Sequence, residues 1–435
     1  MTVLHDIQRM GPLMERKFRG DVRGSLPLPL ILRRFTLAIT VLTVAAWGIC
    51  AFCYFVLHLH YPYSYPMVGR QFRFEDFTQF SGCFPHLPHF PETSGQHTTY
   101  PAPALMVYQF FYLFPHPLLV YLTTGVCIFV AAAIVLGRAL VRRGIAQQRA
   151  YLFAGTTLFC SYPILFVMGQ GNIEVYLWLL LALGVWAYIR GRWMLAATLF
   201  GMAASMKFYP AVYLGLLLAK RRYKAFFWGI LAGALTTIGS LWILGPTIRL
   251  AYLGIMQGLH SFGSTYVSAT QPGGIAYDHS LFSLVKAVLP GQNYQAYVGF
   301  YLVFAAALGV ALYFWRIWRL PRINQVLALT IAAVVLPPVS FEYTLIHLYI
   351  PWALLVLYTV GVVRSSGNPH KVRGLDGLGF CFVCFAFLMT PESYFIVDRI
   401  RFSGQMKAIV LVALLVAALR YPFPETAETV EDQNE

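Results

Sequence analysis

The stretch "RFEDFTQF" at 73–80 sets Glu75 and Asp76 side by side between aromatic residues, in a chain with only 17 acids among 435 residues. A carboxylate close to an apolar boundary can take up a proton, and partial burial raises its pKa toward neutrality. A cation stands out in the same way. Lys207 in "GMAASMKFYP" lies well inside an apolar run, where a charge is costly unless an anion meets it. Further polar groups gather in short pieces: Gln170, Asn172 and Glu174 in "GQGNIE", Tyr277, Asp278 and His279 in "YDHSL", and Glu342 and His347 in "SFEYTLIH". Arg249, Lys286, Arg399 and Arg401 complete the set of candidate cations. Each group also has a plain structural reading. Glu75 and Asp76 suit the positive start of a short helix, Gln170 and Asn172 suit the cap of the next one, Glu174 suits its first turn, Lys207 pairs with Glu174 or reaches for the surface, and His347 is a satisfied helix histidine.

Apolar runs frame all of these. The chain is 58% hydrophobic and 11% charged, against about 25% charge in an ordinary soluble domain. Runs fall near 35–57, 116–139, 150–168, 173–190, 193–219, 225–244, 294–315, 324–340, 344–363, 375–391 and 405–420. Several approach the roughly 20 residues of a membrane-crossing helix. Both ends of the 193–219 run are basic, so it is expected to be two helices meeting near Lys207, with Pro210 as breaker. The expectation is an all-α polytopic membrane protein of about twelve helices. It has a basic, amphipathic N-terminus at 1–34, one membrane domain at 35–420 with outer loops 58–115 and 245–293, and an acidic tail at 421–435. Most of the 32 Lys and Arg fall between runs on one side, and this bias puts both termini in the cytoplasm. Most of the histidines and the acids that lie between the first and last runs, Asp376 apart, fall on the outer side, which favours an active site over a plain transport path. The segment "YPAPALMVYQFFYLF" reads as a short helix in the outer interface.

The net charge of +15 follows the topology and does not point to nucleic acid. Cys381 and Cys384 lie in an apolar run and read as helix packing; only Cys83 falls in a polar loop, so no disulfide framework is expected. There is no P-loop and no glycine-rich dinucleotide fingerprint. His86 and His89 in "PHLPHF" have a proline between them and no fixed third ligand, so the expected action needs no metal and no other cofactor.

In order along the chain come Asp76-Phe77, Tyr100-Pro101-Ala102-Pro103, Gly169-Gln170-Gly171-Asn172, "GMAASMKFYP", "YDHSL" and Pro338-Val339-Ser340-Phe341. In this order and topology the chain resembles a GT-C glycosyltransferase, specifically glycosyltransferase family 87, the polyprenyl-phosphate-mannose-dependent type, over roughly residues 35–350. It departs from the pattern in two places. "GQGN" carries an extra glycine, and Tyr343 and Thr344 stand where the family often has histidines, with His347 one turn later.

The resemblance implies transfer of a hexose, with inversion, from a polyprenyl-phosphate donor to a lipid or glycan acceptor hydroxyl on the outer face of the inner membrane. Such a reaction needs a base, a cationic cradle for the leaving phosphate and an apolar groove for the lipid tail. The assignments are Asp76, with Glu75 and His347 as alternatives, for the base. Lys207 comes first for the phosphate, followed by Arg249, Lys286 and Arg401. Gln170, Asn172, Glu174, Tyr277, Asp278, His279 and Glu342 are the candidates for sugar or acceptor. Rival readings are a flippase for lipid-linked sugars, which predicts internal repeats and mid-membrane charges, and a ligase acting on a polyprenyl diphosphate.

Overall fold

The computed structural model describes residues 28–58, 74–80, 100–267, 278–289, 294–366, 375–391, 396–397, 400–401 and 403–424. These residues are helical apart from loops and one antiparallel pairing of two-residue strands, β1 (Ile396–Val397) and β2 (Ile400–Arg401). Five helices are long and apolar enough to cross a membrane, starting at Leu30, Pro117, Tyr223, Tyr294 and Glu342. A sixth is added if the pair Gln147–Phe159 and Tyr162–Gln170, bent by 52°, is one span.

In chain order the elements that frame the site are α1 (Leu30–Phe55), α2 (Glu75–Thr78), α3 (Ala102–Tyr112), α4 (Pro117–Arg142), α5 (Gln147–Phe159), α6 (Tyr162–Gln170), α7 (Glu174–Ile189) and α8 (Trp193–Met206). A 3-10 turn (Tyr209–Tyr213) leads into α9 (Leu214–Ala219), followed by α10 (Tyr223–Leu244) and α11 (Ile248–Phe262). Then come α12 (Leu281–Val288), α13 (Tyr294–Trp315), α14 (Arg322–Val335), a 3-10 segment (Glu342–Leu348), α15 (Tyr349–Ser366), α16 (Leu375–Leu388) and α17 (Ser403–Arg420).

The difference between about twelve expected helices and five or six full-length spans has a physical source. Several apolar runs are broken or short. α7 has 16 residues, which at 1.5 Å each cover about 24 Å, less than a bilayer core of about 30 Å. α5 and α6 part at Ser161, where Pro163 lacks an N–H to continue the ladder. α6 stops at Gly171, in the left-handed region at φ +69°. α8 stops at Lys207, which is extended at φ −147°, ψ 149°. The Pro337-Pro338 pair separates α14 from the 3-10 segment. The last three breaks deliver the polar residues of one site.

Packing is close where lipid offers no hydrophobic drive between helices. A Cβ on Gly201 of α8 would lie 2.0 Å from the Gly229 carbonyl oxygen of α10, and one on Gly233 would lie 2.8 Å from the Gly201 oxygen. The two backbones therefore touch directly. Elsewhere Trp352 of α15 lies against Phe35 of α1 and Phe153 of α5, with ring centroids 5.9 Å apart in both cases. On the outside, α13 presents Phe300, Val303, Phe304, Val310 and Phe314, an apolar band fit for lipid. Cys381 and Cys384 are buried in α16.

Candidate active site

α2 has only four residues and cannot hold itself. Phe77 fixes it as a plug. This ring is buried and packs on Tyr112, stacked at 5.1 Å, and on Tyr108 and Tyr121 at 5.9 and 5.0 Å. Tyr112 Oη donates to the Phe77 carbonyl at 2.9 Å, and Phe74 N donates to the Gly169 carbonyl at 2.8 Å. Gly171 is needed on the other side of the contact, because a Cβ there would sit 2.7 Å from that of Phe77. Successive helix positions are about 100° apart, so Glu75 is exposed while Asp76 turns inward and is half-buried.

Asn172 receives the Asp76 carboxylate. Its Nδ2 donates to Asp76 Oδ2 at 2.7 Å and to Tyr100 Oη at 3.0 Å, while its Oδ1 accepts from Glu174 N at 3.1 Å. The helix-start role the sequence suggested for Asn172 is thus combined, in one side chain, with a bond to the Asp76 carboxylate that the sequence did not suggest. Tyr121 Oη donates to the Asn172 carbonyl at 2.7 Å, and Tyr108 Oη accepts from Ile173 N at 3.0 Å. Burial pushes the Asp76 carboxyl up to about 6, against the lowering effect of the Asn172 hydrogen bond and of the Lys207 charge, with Glu75 and Glu174 adding to the rise. At pH 7 it is mostly ionised and more basic than a free aspartate. Burial, with Asp76 next, keeps the Tyr100 phenol protonated.

Lys207 closes the other side. Its Nζ donates to Glu174 Oε1 at 2.7 Å and lies 5.3 Å from the centroid of Tyr100 and 4.8 Å from that of Tyr343. Glu174 is fully buried and takes two more partners on Oε2: Tyr209 Oη donates at 2.5 Å, and His347 Nε2 lies at 2.6 Å. Tyr209 Oη and His347 Nε2 are 2.7 Å apart, and His347 Nδ1 has no hydrogen-bond partner among the described residues. Tyr100 therefore shares the Asn172 amide with the Asp76 carboxylate and has over its ring a cation that stays 16% exposed. The arrangement can take a proton on one side and neutralise an anion on the other.

The sequence model of glycosyltransferase family 87 matches residues 98–341, more than half of the chain. The chain belongs to glycosyltransferase family 87. Comparisons with curated proteins and with solved structures found no match. Asp76, Glu342 and His347 lie outside the matched residues, and the fold brings Asp76 and His347 to the matched Asn172 and Glu174.

A second polar group of this family 87 chain is buried beside the first. Asp278 Oδ1 accepts from Ser280 N and Ser340 N, both at 3.0 Å, and its Oδ2 is 3.6 Å from Lys286 Nζ. His279 Nε2 is 3.0 Å from both Ser340 Oγ and Thr344 Oγ1, and its Nδ1 is 3.6 Å from Glu342 Oε1. Lys407 Nζ donates to Glu342 Oε2 at 2.5 Å. Burial raises the Asp278 carboxyl and lowers Lys286, and in each case the partner's charge opposes the shift. Lys286 is thus tied to Asp278 in the interior.

Other expected residues fall elsewhere. Gln170, half-buried, ends α6, and Arg249 is exposed in the first turn of α11. Tyr277, Arg399, His86 and His89 lie outside the described residues, and of Arg401 only the backbone is described. Among the described residues there is no group of three or more His, Cys, Asp or Glu able to hold a metal. The sequence reading missed Tyr100 and Tyr343 as the rings around Lys207, Tyr209 as a partner of Glu174, and Lys407. Lys407 carried a signal, since it stands in an apolar run where a lone cation needs an anion.

Proposed function

We propose that this glycosyltransferase moves a hexose, mannose by the family resemblance, from a polyprenyl-phosphate donor to an acceptor hydroxyl at the outer face of the inner membrane. Asp76 is the base. The acceptor oxygen attacks C1 of the sugar from the side opposite the phosphate, the C1–O bond breaks with its electron pair going to the phosphate oxygen, and the acceptor proton passes to Asp76. The anomeric centre inverts. The departing polyprenyl phosphate gains a negative charge, which Lys207 neutralises. Gln170 and the polar rim of the 169–174 loop face the sugar, and Arg249 and Arg401 are candidate anchors for the donor phosphate or for lipid headgroups.

The observation that carries this reading is that Asn172 joins Asp76 to Tyr100, whose ring lies under Lys207, so that a carboxylate and a cation share one site. Supporting it, the basic residues Arg138, Arg142, Arg190, Arg192 and Arg222 sit at the opposite ends of α4, α7, α8 and α10 from this site, as expected if those ends are cytoplasmic. In this reading the shorter apolar helices α7, α8, α9, α14 and α16, together with α17, complete about twelve passes, α3 lies in the interface, and no metal takes part.

The test is transfer of label from radiolabelled polyprenyl-phosphate-mannose to membrane acceptors. Product is expected from the parent and none from Asp76→Asn. Full activity in Asp76→Asn, or movement of lipid-linked sugar without product, overturns the assignment.

A further inference from the structure

We propose that Asp278, His279, Glu342 and Lys407 form a clamp that positions the 340–347 segment, and with it Tyr343 and His347, against Lys207 and Glu174. The inference rests on the reading of the Asp76–Lys207 site as the place of transfer, and it gives Asp278, His279 and Glu342 a role other than touching sugar.

All four residues are at most 2% exposed, and their partners are one another, the backbone and side chains of the segment, and, for Asp278, Ser280 N and Lys286. The segment follows Pro337 and Pro338, which have no N–H to hold a turn. Its backbone is held from outside instead. Ser340 N donates to Asp278 Oδ1, and the Ser340 carbonyl accepts from His279 N at 2.8 Å. Ser340 Oγ and Thr344 Oγ1 meet the His279 ring. Lys407, from the first turns of α17, fixes Glu342, the residue just before Tyr343. The same start of α17 presses backbone to backbone on the 278 turn: a Cβ on Gly404 would lie 2.5 Å from the Asp278 carbonyl oxygen. Buried ions are an expensive way to hold a loop, and apolar side chains often hold one as well. What the ions add is a fixed register. One residue beyond the clamped Glu342, the Tyr343 ring lies 4.8 Å from Lys207 Nζ, and one turn further His347 reaches Glu174 at 2.6 Å. If the segment shifts, Lys207 loses a ring and Glu174 a partner, and the charge of Lys207 moves relative to Asp76.

The test uses full-length enzyme in detergent or proteoliposomes. The double variant Glu342→Gln/Lys407→Met removes both charges, and Glu342→Gln alone keeps an acceptor for Lys407 should the double fail to fold. The expected result is a kcat about tenfold lower with donor KM within about threefold of the parent, and an acid limb of the pH–rate profile raised by about half a unit or more. The limb reports Asp76, which faces Lys207, Glu75, Glu174, Tyr100, Tyr108, Tyr266 and Tyr343. A parental acid limb overturns the proposal whatever happens to kcat or Tm, since a purely structural role lowers stability without moving it. If the parent transfers no sugar from lipid-phosphate donors, the functional reading fails on its own. The clamp is then read by hydrogen exchange at 340–348, where exchange about tenfold faster in the variant supports it and parental exchange overturns it.

Discussion

Asn172→Ala is the sharpest perturbation of this site. The amide donates to Asp76 Oδ2 at 2.7 Å and lowers its pKa against the burial that raises it to about 6. A hydrogen bond to a charged group contributes about 1.5–3 kcal/mol, and 1.36 kcal/mol corresponds to about one pKa unit. Losing the bond moves Asp76 from about 6 to roughly 7–8. At pH 7 the base then changes from mostly ionised to half or more protonated. The measurement is kcat/KM for the proposed donor, lipid-linked mannose, between pH 5 and 9. The acid limb is expected to move up by one to two units or so, activity at pH 7 to fall about two- to tenfold from this cause, and much of that loss to return at pH 9. Loss of the Tyr100 contact and of the Glu174 cap adds a pH-independent decrease. An active variant with the parental acid limb refutes the argument, because Asp76 then either is not the titrating base or is not held by Asn172.

Three further outcomes follow from the geometry. Asp76→Asn abolishes transfer yet raises Tm. A carboxyl raised from 3.8 to about 6 favours the fold when protonated and costs about 3 kcal/mol as pH rises through that window, so melting curves should show a gain at pH 8 that vanishes near pH 4. Tyr209→Phe removes the donor to Glu174 Oε2, at a cost of about 1.5–3 kcal/mol for a charged acceptor, and is expected to lower kcat about tenfold with little change in fold by circular dichroism. Gly201→Val forces a side chain into the Gly229 backbone and should prevent recovery of a monodisperse peak on size exclusion. Gly155→Ala, with nothing within 4 Å of its Cβ, should leave that peak unchanged.

The helical membrane fold was legible because lipid punishes unpaired backbone groups, so apolar runs near the right length leave few choices. The break at Lys207 could be read from charge at both ends of 193–219 and from Pro210. The count of full spans could not, since whether a run such as 173–190 crosses alone depends on where its ends are pinned, and Gly171 and Asn172 pin it by tertiary contacts to Phe77 and Asp76. At the site, Asp76, Lys207 and Glu174 were legible as charges out of place. Their partners were not. Tyr100, Tyr209 and Tyr343 stand in or beside the stretches that carry the resemblance, but nothing in the sequence sets them on Lys207 and Glu174 ahead of the other tyrosines among the chain's 27. Asp278, His279 and Glu342 were legible as polar residues in a loop, but whether such a group meets substrate or the interior is decided by burial, which a single sequence does not record.

The Lys207–Glu174 pair bears on selectivity. The ammonium already has an internal counter-ion in Glu174 at 2.7 Å, and the ionised Asp76 nearby adds a further negative charge. In the proposed reading an incoming phosphate would share or displace the Glu174 carboxylate, with His347 and Tyr209 left to hold it. On that reading a bare inorganic anion is expected to bind weakly, with the lipid tail and sugar of the proposed donor supplying the difference.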